Sequence, residues 1–341
     1  MKIYHLSHTD LDGYGAQYIT NFYFKDVKFL NSNYGREIDD KFAQILSEID
    51  ASNDDKNVIL ITDLNLTPAQ CESFEEMIEG KNIKLFLLDH HQSGAECASA
   101  YSWYFLDSSR CATKITYDFF AGIFGKNKEF EIFSDVVNAV DIWLKDDKNF
   151  EMGKVCLGLV ANAKEINKVM FEAENNLYMD HLLKEASKFF NEKNDYIGLD
   201  MQVHAIKKSF FKEDKDDTLS NLISNYVVKK LSENKEKFSI SYKDHKGILT
   251  YNVGNVSVIG NDFLVANPEF DFFIDVTNKK TLSFRANGKL DVSAMAKHLV
   301  GGGGHVNASG GLFANFKDGF SYEPIKAQIV DLITKKTQEE I

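Results

Sequence analysis

Residues 2–13, KIYHLSHTDLDG, run from an apolar stretch straight into a burst of ionisable side chains and a glycine. The first half reads as a strand buried on both faces, because the polar alternation of a half-exposed strand is missing. In the second half His8, Asp10 and Asp12 occupy alternate positions, which share one side of an extended segment. Two more apolar runs end the same way: VILITD at 58–63 closes on Asp63, and IKLFLLDHH at 83–91 closes on Asp89, His90 and His91. A further strand is expected at 27–31, with helical patterns at 13–25, 36–50 and 67–79 between the strands. That rhythm predicts an α/β fold whose N-terminal lobe is a doubly wound, mainly parallel sheet. In such a sheet ligands collect beyond the carboxyl ends of the strands, so the three motifs should converge on one edge although they lie far apart in sequence.

A mainly helical region follows from about residue 109 to 195, with solvated connections expected at 126–131, 172–176 and 191–195. The charge runs KEDKDD at 212–217 and ENKEK at 233–237 read as solvated loops and helix ends. Beyond residue 238 the pattern returns to mixed α/β, with strands expected at 247–253, 271–277 and 281–286 and helices at 291–299 and 322–336. Four glycines at 301–304 read as too flexible for either element. The expected division is a catalytic domain over 1–195, a helical connector over 196–237 and a smaller mixed α/β lobe over 238–341.

Composition limits the partners. The chain has 341 residues, 44 % of them hydrophobic and 26 % charged, which suits two or three soluble domains. No run approaches the ~20 apolar residues of a membrane span, and the charged start argues against a secretory leader. Cys71, Cys97, Cys111 and Cys156 form no CxxC pair and no zinc-like spacing, so reduced thiols in a cytoplasmic protein are expected. Acidic residues outnumber basic ones by 51 to 39, a net charge of −12, and the arginines are Arg36, Arg110 and Arg285. A long duplex would want a basic track that this sequence lacks, whereas a small anion remains acceptable if bound cations supply the positive charge.

Taken singly the motifs are weak. An Asp after a strand is usually a turn residue or a helix cap, and two adjacent histidines can simply be surface residues. Three ionisable groups on one side of a segment leaving a buried strand are different, since they repel unless a cation joins them. Helical spacing adds another carboxylate. In residues 132–144, Ile132, Phe133, Val136, Val137, Val140 and Leu144 trace one face, and Asp141 borders it. A carboxylate there is costly unless paired or metal-bound. Carboxylates and imidazoles without thiolate suit manganese or a similar divalent ion. Two such ions ~3.5–4 Å apart can share a carboxylate, activate a water and clamp a phosphoryl group. The candidates His8, Asp10, Asp12, Asp63, His90 and Asp141 fit two divalent cations better than one.

Together HTDLDG, the isolated Asp63, Asp89-His90-His91, Asp141 and GGGGHVNASGG at 301–311 resemble the DHH phosphoesterases that carry a DHH-associated C-terminal domain. The resemblance spans both ends of the chain and implies two manganese ions. His8, Asp10 and Asp63 would hold one ion, and Asp12, Asp63, His90 and Asp141 the other, with Asp63 bridging. Asp89 would orient the histidines after it, and His91 would contact the scissile phosphate. Gly301, Gly302, Gly303 and Gly304 are no P-loop, because no Lys-Ser/Thr follows. With His305 they resemble the family's substrate loop, and Arg285 resembles its phosphate-gripping arginine. His298 reads as structural, Arg110 first as a helix-start residue, and Arg36 is left undecided.

Within that family the layout is similar to the nanoRNases of type B, manganese-dependent exonucleases that release mononucleotides from very short RNAs. Hydrolysis of 3′-phosphoadenosine 5′-phosphate or of linear and cyclic dinucleotides is the alternative. Family-II inorganic pyrophosphatases share the ligands but carry a Ser-Arg-Lys motif where this chain has GGGGH. A non-catalytic nucleotide- or nucleic-acid-binding homologue ranks last, because the metal ligands are intact. Short RNAs or small nucleotides are the expected partners, without long duplex or membrane; a homodimer is left open.

Overall fold

In the computed structural model, which describes residues 1–52, 56–190 and 195–338, each apolar run of the N-terminal part becomes a strand. Met1–Ala163 and Asn176–Ile206 form one compact unit. It begins with β1 (Lys2–Ser7), α1 (Leu11–Tyr23), β2 (Val27–Asn31), α2 (Arg36–Ala51) and β3 (Asn57–Thr62). It continues through α3 (Pro68–Ile78), β4 (Ile83–Asp89), α4 (Ala95–Ala100) and β5 (Tyr104–Leu106), the last a short strand with no expected counterpart. The helices α5 (Ala112–Phe124), α6 (Lys128–Asp141) and α7 (Phe150–Ala161) follow.

All neighbouring strands are parallel, in the order β2-β1-β3-β4-β5. The chain steps from β1 to β2 in one direction and from β2 across to β3 in the other. With right-handed crossovers this puts α1 and α2 on opposite faces and places the reversal point between β1 and β3. Tyr4 and Leu6 of β1, Ile59 and Ile61 of β3 and Leu87 of β4 form one core with α2 and α3. There the rings of Phe42 and Phe74 stack at 3.7 Å. Opposite, Gln17 ties α1 to the sheet, its Nε2 donating to His5 O at 3.2 Å and Leu30 O at 2.9 Å.

Two expected connections are helix starts instead. Residues 128–131 form the first turn of α6 behind Asn127, whose side chain accepts from Glu129 N and Phe130 N. Residues 172–176 open α8 (Glu172–Ser187). Acidic residues stabilise the positive end of a helix, so the charge that suggested solvated loops marks helix N-termini. Of the connection expected at 191–195, residues 191–194 lie outside the described residues. The helix expected over 132–144 stops at Asp141; Trp143 turns with φ 58°, and Leu144 is exposed instead of completing the apolar face.

Lys164–Asn175 and Lys207–Ile341 form the second unit, so α9 (Tyr196–Phe211) contributes to both. α10 (Leu219–Glu233) and α11 (Lys235–Phe238) lead into β6 (Ser239–Tyr242), β7 (His245–Tyr251), α12 (Val256–Ala266), β8 (Phe272–Val276) and β9 (Thr281–Ala286). After these come α13 (Val292–Val300), β10 (Gly303–His305), β11 (Ala308–Leu312) and α14 (Tyr322–Gln338). The sheet order is β10-β11-β9-β8-β7-β6, with β7 and β8 parallel and the other pairs antiparallel. Phe263, Phe270, Phe272, Phe273 and Phe284 are buried in this unit.

The glycine stretch is only partly irregular. Gly301 caps α13 with φ 65°, but Gly303 and Gly304 enter β10. A Cβ at Gly302 would lie 2.2 Å from Gly310 O, and one at Gly304 2.6 Å from Ala308 O. Glycine here permits a close antiparallel ribbon, which a composition argument for flexibility misses. Among the described residues no helix is long and apolar enough to cross a membrane, and all four cysteines are free and buried.

Candidate metal centre

β1, β3 and β4 end side by side, so His8, Asp63 and His90 leave the sheet at neighbouring carboxyl ends. Asp63 donates its N–H to Leu88 O at 3.2 Å and then turns with φ 56°, a conformation Asp tolerates better than most residues. The turn buries the residue to 2 % exposure and leaves Oδ2 without a hydrogen-bond partner. Each oxygen faces a different imidazole. Oδ2 lies 3.6 Å from His8 Nδ1, and Oδ1 lies 3.3 Å from His90 Nε2 and 4.0 Å from His91 Nδ1.

Asp10 caps α1, with Oδ1 accepting from Gly13 N at 3.0 Å and Oδ2 2.9 Å from His8 Nδ1. A Cβ at Gly13 would fall 2.3 Å from His8 O, so the glycine keeps the turn into the helix open. α1 starts at Leu11 and not at residue 13, which puts Asp12 in the first helical turn rather than in an extended run. The alternation argument therefore ends at Asp10. Asp12 reaches the site by facing the N-terminus of α5, where its two carboxylate oxygens accept from Ala112 N and Thr113 N, each at 2.7 Å. His90 Nε2 lies 3.7 Å from Asp12 Oδ2 and 3.6 Å from Asp141 Oδ2. Asp141 is the last residue of α6, at the negative end of the helix dipole, where a carboxylate is least welcome without a countercharge.

Mutual repulsion shows in the acidities. Burial and the neighbouring Asp12 push Asp63 well above the ordinary carboxylate range. Burial, again with Asp12, raises Asp141 to about 8 against the pull of His90. Burial works against a charged His8, yet the close contact with Asp10 and the charges of Asp10 and Asp63 prevail and raise it to about 10. Burial also opposes ionisation of Asp10, but the His8 contact outweighs it and lowers the group to about 2. Left with protons alone, the cluster keeps acids protonated that a divalent ion would ionise.

Asp89 is fully buried and organises the histidine pair. Its Oδ1 accepts from His90 N at 2.8 Å, His91 N at 3.3 Å and His91 Nδ1 at 2.7 Å, while Tyr104 OH donates to Oδ2 at 2.8 Å. With Nδ1 held there, His91 turns Nε2 outward, 3.0 Å from Tyr34 OH. The Tyr34 ring also lies 4.7 Å from the His8 ring, centroid to centroid. Sequence reading missed Tyr34, although it follows β2 by the same carboxyl-end rule that found the other motifs. Cys111, missed as well, stands at the N-terminus of α5 within metal-ligand range of Asp12 and Asp141. Arg110 is tied to Asp107 at 2.6 Å and Asp118 at 2.5 Å, and Arg36 is exposed beside Asp40.

In the second unit, His305 pairs with Ala308 and Ala308 with Arg285, so both candidate recognition residues share one register row and one sheet face. Arg285 Nη1 donates to Phe284 O at 2.7 Å and Nη2 to Ser257 Oγ at 2.8 Å. Gly301, Gly303, Gly304 and His305 are exposed and Gly302 is half-buried. His298 is structural, bonded to Tyr242 OH through Nδ1 at 2.8 Å and to Lys336 O through Nε2 at 3.1 Å.

The donor set of the first unit fits divalent ions. Close groups of potential ligands are His8 with Asp10 and Asp63, Asp63 with His90 and His91, and Asp12 with Cys111 and Asp141. Asp63, whose buried Oδ2 lacks a hydrogen-bond partner, is the residue common to two of these groups. A cation would satisfy that oxygen and offset the repulsion that raises Asp63 and Asp141. Fold and donor set together form a candidate divalent-metal centre at the carboxyl edge of a parallel α/β sheet.

The chain is 41 % identical to a 3′,5′-cyclic-nucleotide phosphodiesterase of Helicobacter pylori, over 97 % of this chain and 99 % of that enzyme. It also resembles the crystal structure of an uncharacterized protein from Helicobacter pylori G27. The TM-score is 0.92 at 40 % identity, covering 98 % of this chain and 99 % of the other. No protein-family profile matches the chain. The chain belongs to the family of the Helicobacter pylori phosphodiesterase.

Proposed function

We propose that the chain is a DHH-type phosphodiesterase that uses two divalent cations, manganese first among them, to hydrolyse a phosphodiester bond of a small nucleotide. The observation that carries this reading is Asp63, a buried carboxylate offering one oxygen towards His8 and the other towards His90. When bound, the cations supply Lewis acidity to the phosphoryl oxygens and lower the pKa of the attacking water. In this reading His8 and Asp10 hold one ion, and Asp12, His90 and Asp141 the other, with Asp63 common to both. Asp89 anchors His91 through Nδ1, so that Nε2 is the atom offered to the phosphate or the departing ester oxygen. In the second unit Arg285, His305 and the backbone amides of Gly301, Gly302, Gly303 and Gly304 are proposed to hold the nucleotide.

The name of the Helicobacter pylori relative favours 3′,5′-cyclic nucleotides as the substrate class. A second reading, release of mononucleotides from very short RNAs, is favoured by HTDLDG, Asp89-His90-His91 and GGGGH in one chain. A panel with manganese separates them: a 3′,5′-cyclic mononucleotide, a cyclic and a linear dinucleotide, an RNA pentamer, a long single strand and 3′-phosphoadenosine 5′-phosphate. Preferred turnover of the cyclic mononucleotide selects the first reading. Mononucleotides released from dinucleotide and pentamer, with the cyclic substrate untouched, select the second. No manganese-dependent hydrolysis of any diester overturns both.

A further inference from the structure

Cys111 is fully buried beside Asp12 and Asp141. Its sulfur caps α5, accepting from Lys114 N at 3.4 Å, and its own N–H donates to Asn138 Oδ1 at 2.8 Å. Asn138 lies one turn before Asp141 on α6, and the next two amides, Ala112 N and Thr113 N, bind the Asp12 carboxylate. The thiol is thereby clamped between the helix that carries Asp141 and the carboxylate of Asp12. Ligand atoms of Asp12, Cys111 and Asp141 all lie within 4.8 Å of one another. Sulfur and oxygen bound to one ion at about 2.3 Å and 2.0–2.2 Å fall inside that range. Among the described residues no other cysteine belongs to such a group.

We propose that Cys111 joins Asp12 and Asp141 as a ligand of the second cation, and that its sulfur raises the affinity of this position for softer ions such as cobalt and zinc more than for manganese. The inference rests on the metal-dependent reading above. As the metal–sulfur bond forms, the S–H bond breaks and its proton leaves to solvent, so binding releases a proton. A cap alone does not ask for sulfur, since oxygen side chains cap helices well. Cys111→Ser therefore keeps a capping atom and removes only the soft donor.

The test is spectroscopic, on the full chain stripped of metal and titrated with cobalt. A sulfur-to-cobalt charge-transfer band in the near ultraviolet is expected in the wild type and absent in Cys111→Ser, with the visible cobalt bands retained. Cobalt and zinc affinities should fall by roughly ten- to a hundredfold, and manganese affinity by roughly threefold or less. If Cys111→Ser does not fold, a chain with Cys71, Cys97 and Cys156 replaced by Ala should still show the band. Visible cobalt bands without the sulfur band in the wild type, its persistence in Cys111→Ser, or its loss in the triple variant each overturn the proposal while leaving the metal centre standing. Failure to bind either cobalt or manganese overturns the metal-dependent reading itself.

Discussion

The parallel sheet of the first unit and the largely antiparallel sheet of the second place their polar residues by different rules. In the first, every strand points one way, so residues as distant as 8, 63 and 90 emerge at a common edge, where Asp12, Asp63 and Asp89 are buried. In the second, strand direction alternates except between β7 and β8, and Arg285 and His305 come into line through register across β11. One arrangement concentrates like charge until burial and repulsion raise Asp63 and Asp141; the other spreads a half-buried arginine and an exposed histidine over a face. The first suits chemistry and the second suits holding an anionic ligand.

The largest expected effect tests the buried edge. Asp63→Asn keeps the shape and tolerates the left-handed turn, so it removes charge without straining the backbone. Loss of the shared ligand should lower kcat by at least about a thousandfold and drop bound manganese from about two ions to about one. Titration of manganese by electron paramagnetic resonance, beside a rate measurement, checks it. Full metal content with full activity would end the dinuclear assignment. Calcium, which prefers more oxygen ligands than this site offers, should activate the wild type poorly.

Recognition should respond more mildly. Arg285→Ala is expected to lower kcat/KM for a nucleotide substrate by roughly ten- to a hundredfold without changing metal content. His305→Ala should act in the same direction. A generic activated diester, bis-p-nitrophenyl phosphate, should lose much less on either variant. Equal losses on both substrates, or loss of metal, would erase the division between the two units.

That division also marks what the sequence could reveal. Buried parallel strands leave uninterrupted apolar runs, so β1 to β4 and the residues leaving them are legible in the sequence. Asp12 was found for a reason that does not hold, because helix formation at Leu11 replaced the extended segment. Its actual partners are the amides of α5, a hundred residues away, which no local spacing discloses. Tyr34 was legible by the carboxyl-end rule but carries no charge to draw attention. Cys111 was not, since its role depends on where α5 and α6 start and stop. In the second unit β10 escaped because glycine at 303 and 304 signals flexibility until the facing glycines of β11 are known.

Tyr34 gives a smaller effect and a finer probe of the first unit. Its hydroxyl lies 3.0 Å from His91 Nε2, the atom proposed to meet the phosphate. Tyr34→Phe keeps the ring against His8 and removes only that hydrogen bond. A fall in kcat of roughly three- to tenfold is expected, with metal affinity unchanged, because a single neutral hydrogen bond is worth about 0.5–1.5 kcal/mol. An unaltered kcat would show that the hydroxyl does not help to position His91.

The smallest effect is a pH-dependent stability that should separate the two units without any substrate. Asp141, near 8 in the folded state against an ordinary value near 3.8, binds a proton that the unfolded chain has released. His8, raised to about 10, does the same above its ordinary value of 6.5. Groups with raised values stabilise at low pH and lose that contribution as pH climbs through the folded value, so the metal-free protein should lose stability between about pH 7 and 9. His5, held near 3 by burial, acts the other way, but only below its ordinary 6.5. In the second unit the buried Asp275 of β8 is raised by its burial to about 7, so its contribution is largely spent by neutrality. Manganese needs the ionised ligands and competes with their protons, so its stabilisation should grow from about pH 7 to 9. The expected signature is a metal-free Tm that drops by a few degrees over this range and a manganese-loaded Tm that stays nearly flat. Asp141→Asn should remove part of the metal-free slope, whereas Asp275→Asn should leave it unchanged above about pH 7. Thermal melts of the three chains at both pH values, with and without manganese, decide it: a slope that manganese does not flatten, or that Asp275→Asn removes instead, places the titrating groups outside the proposed metal centre.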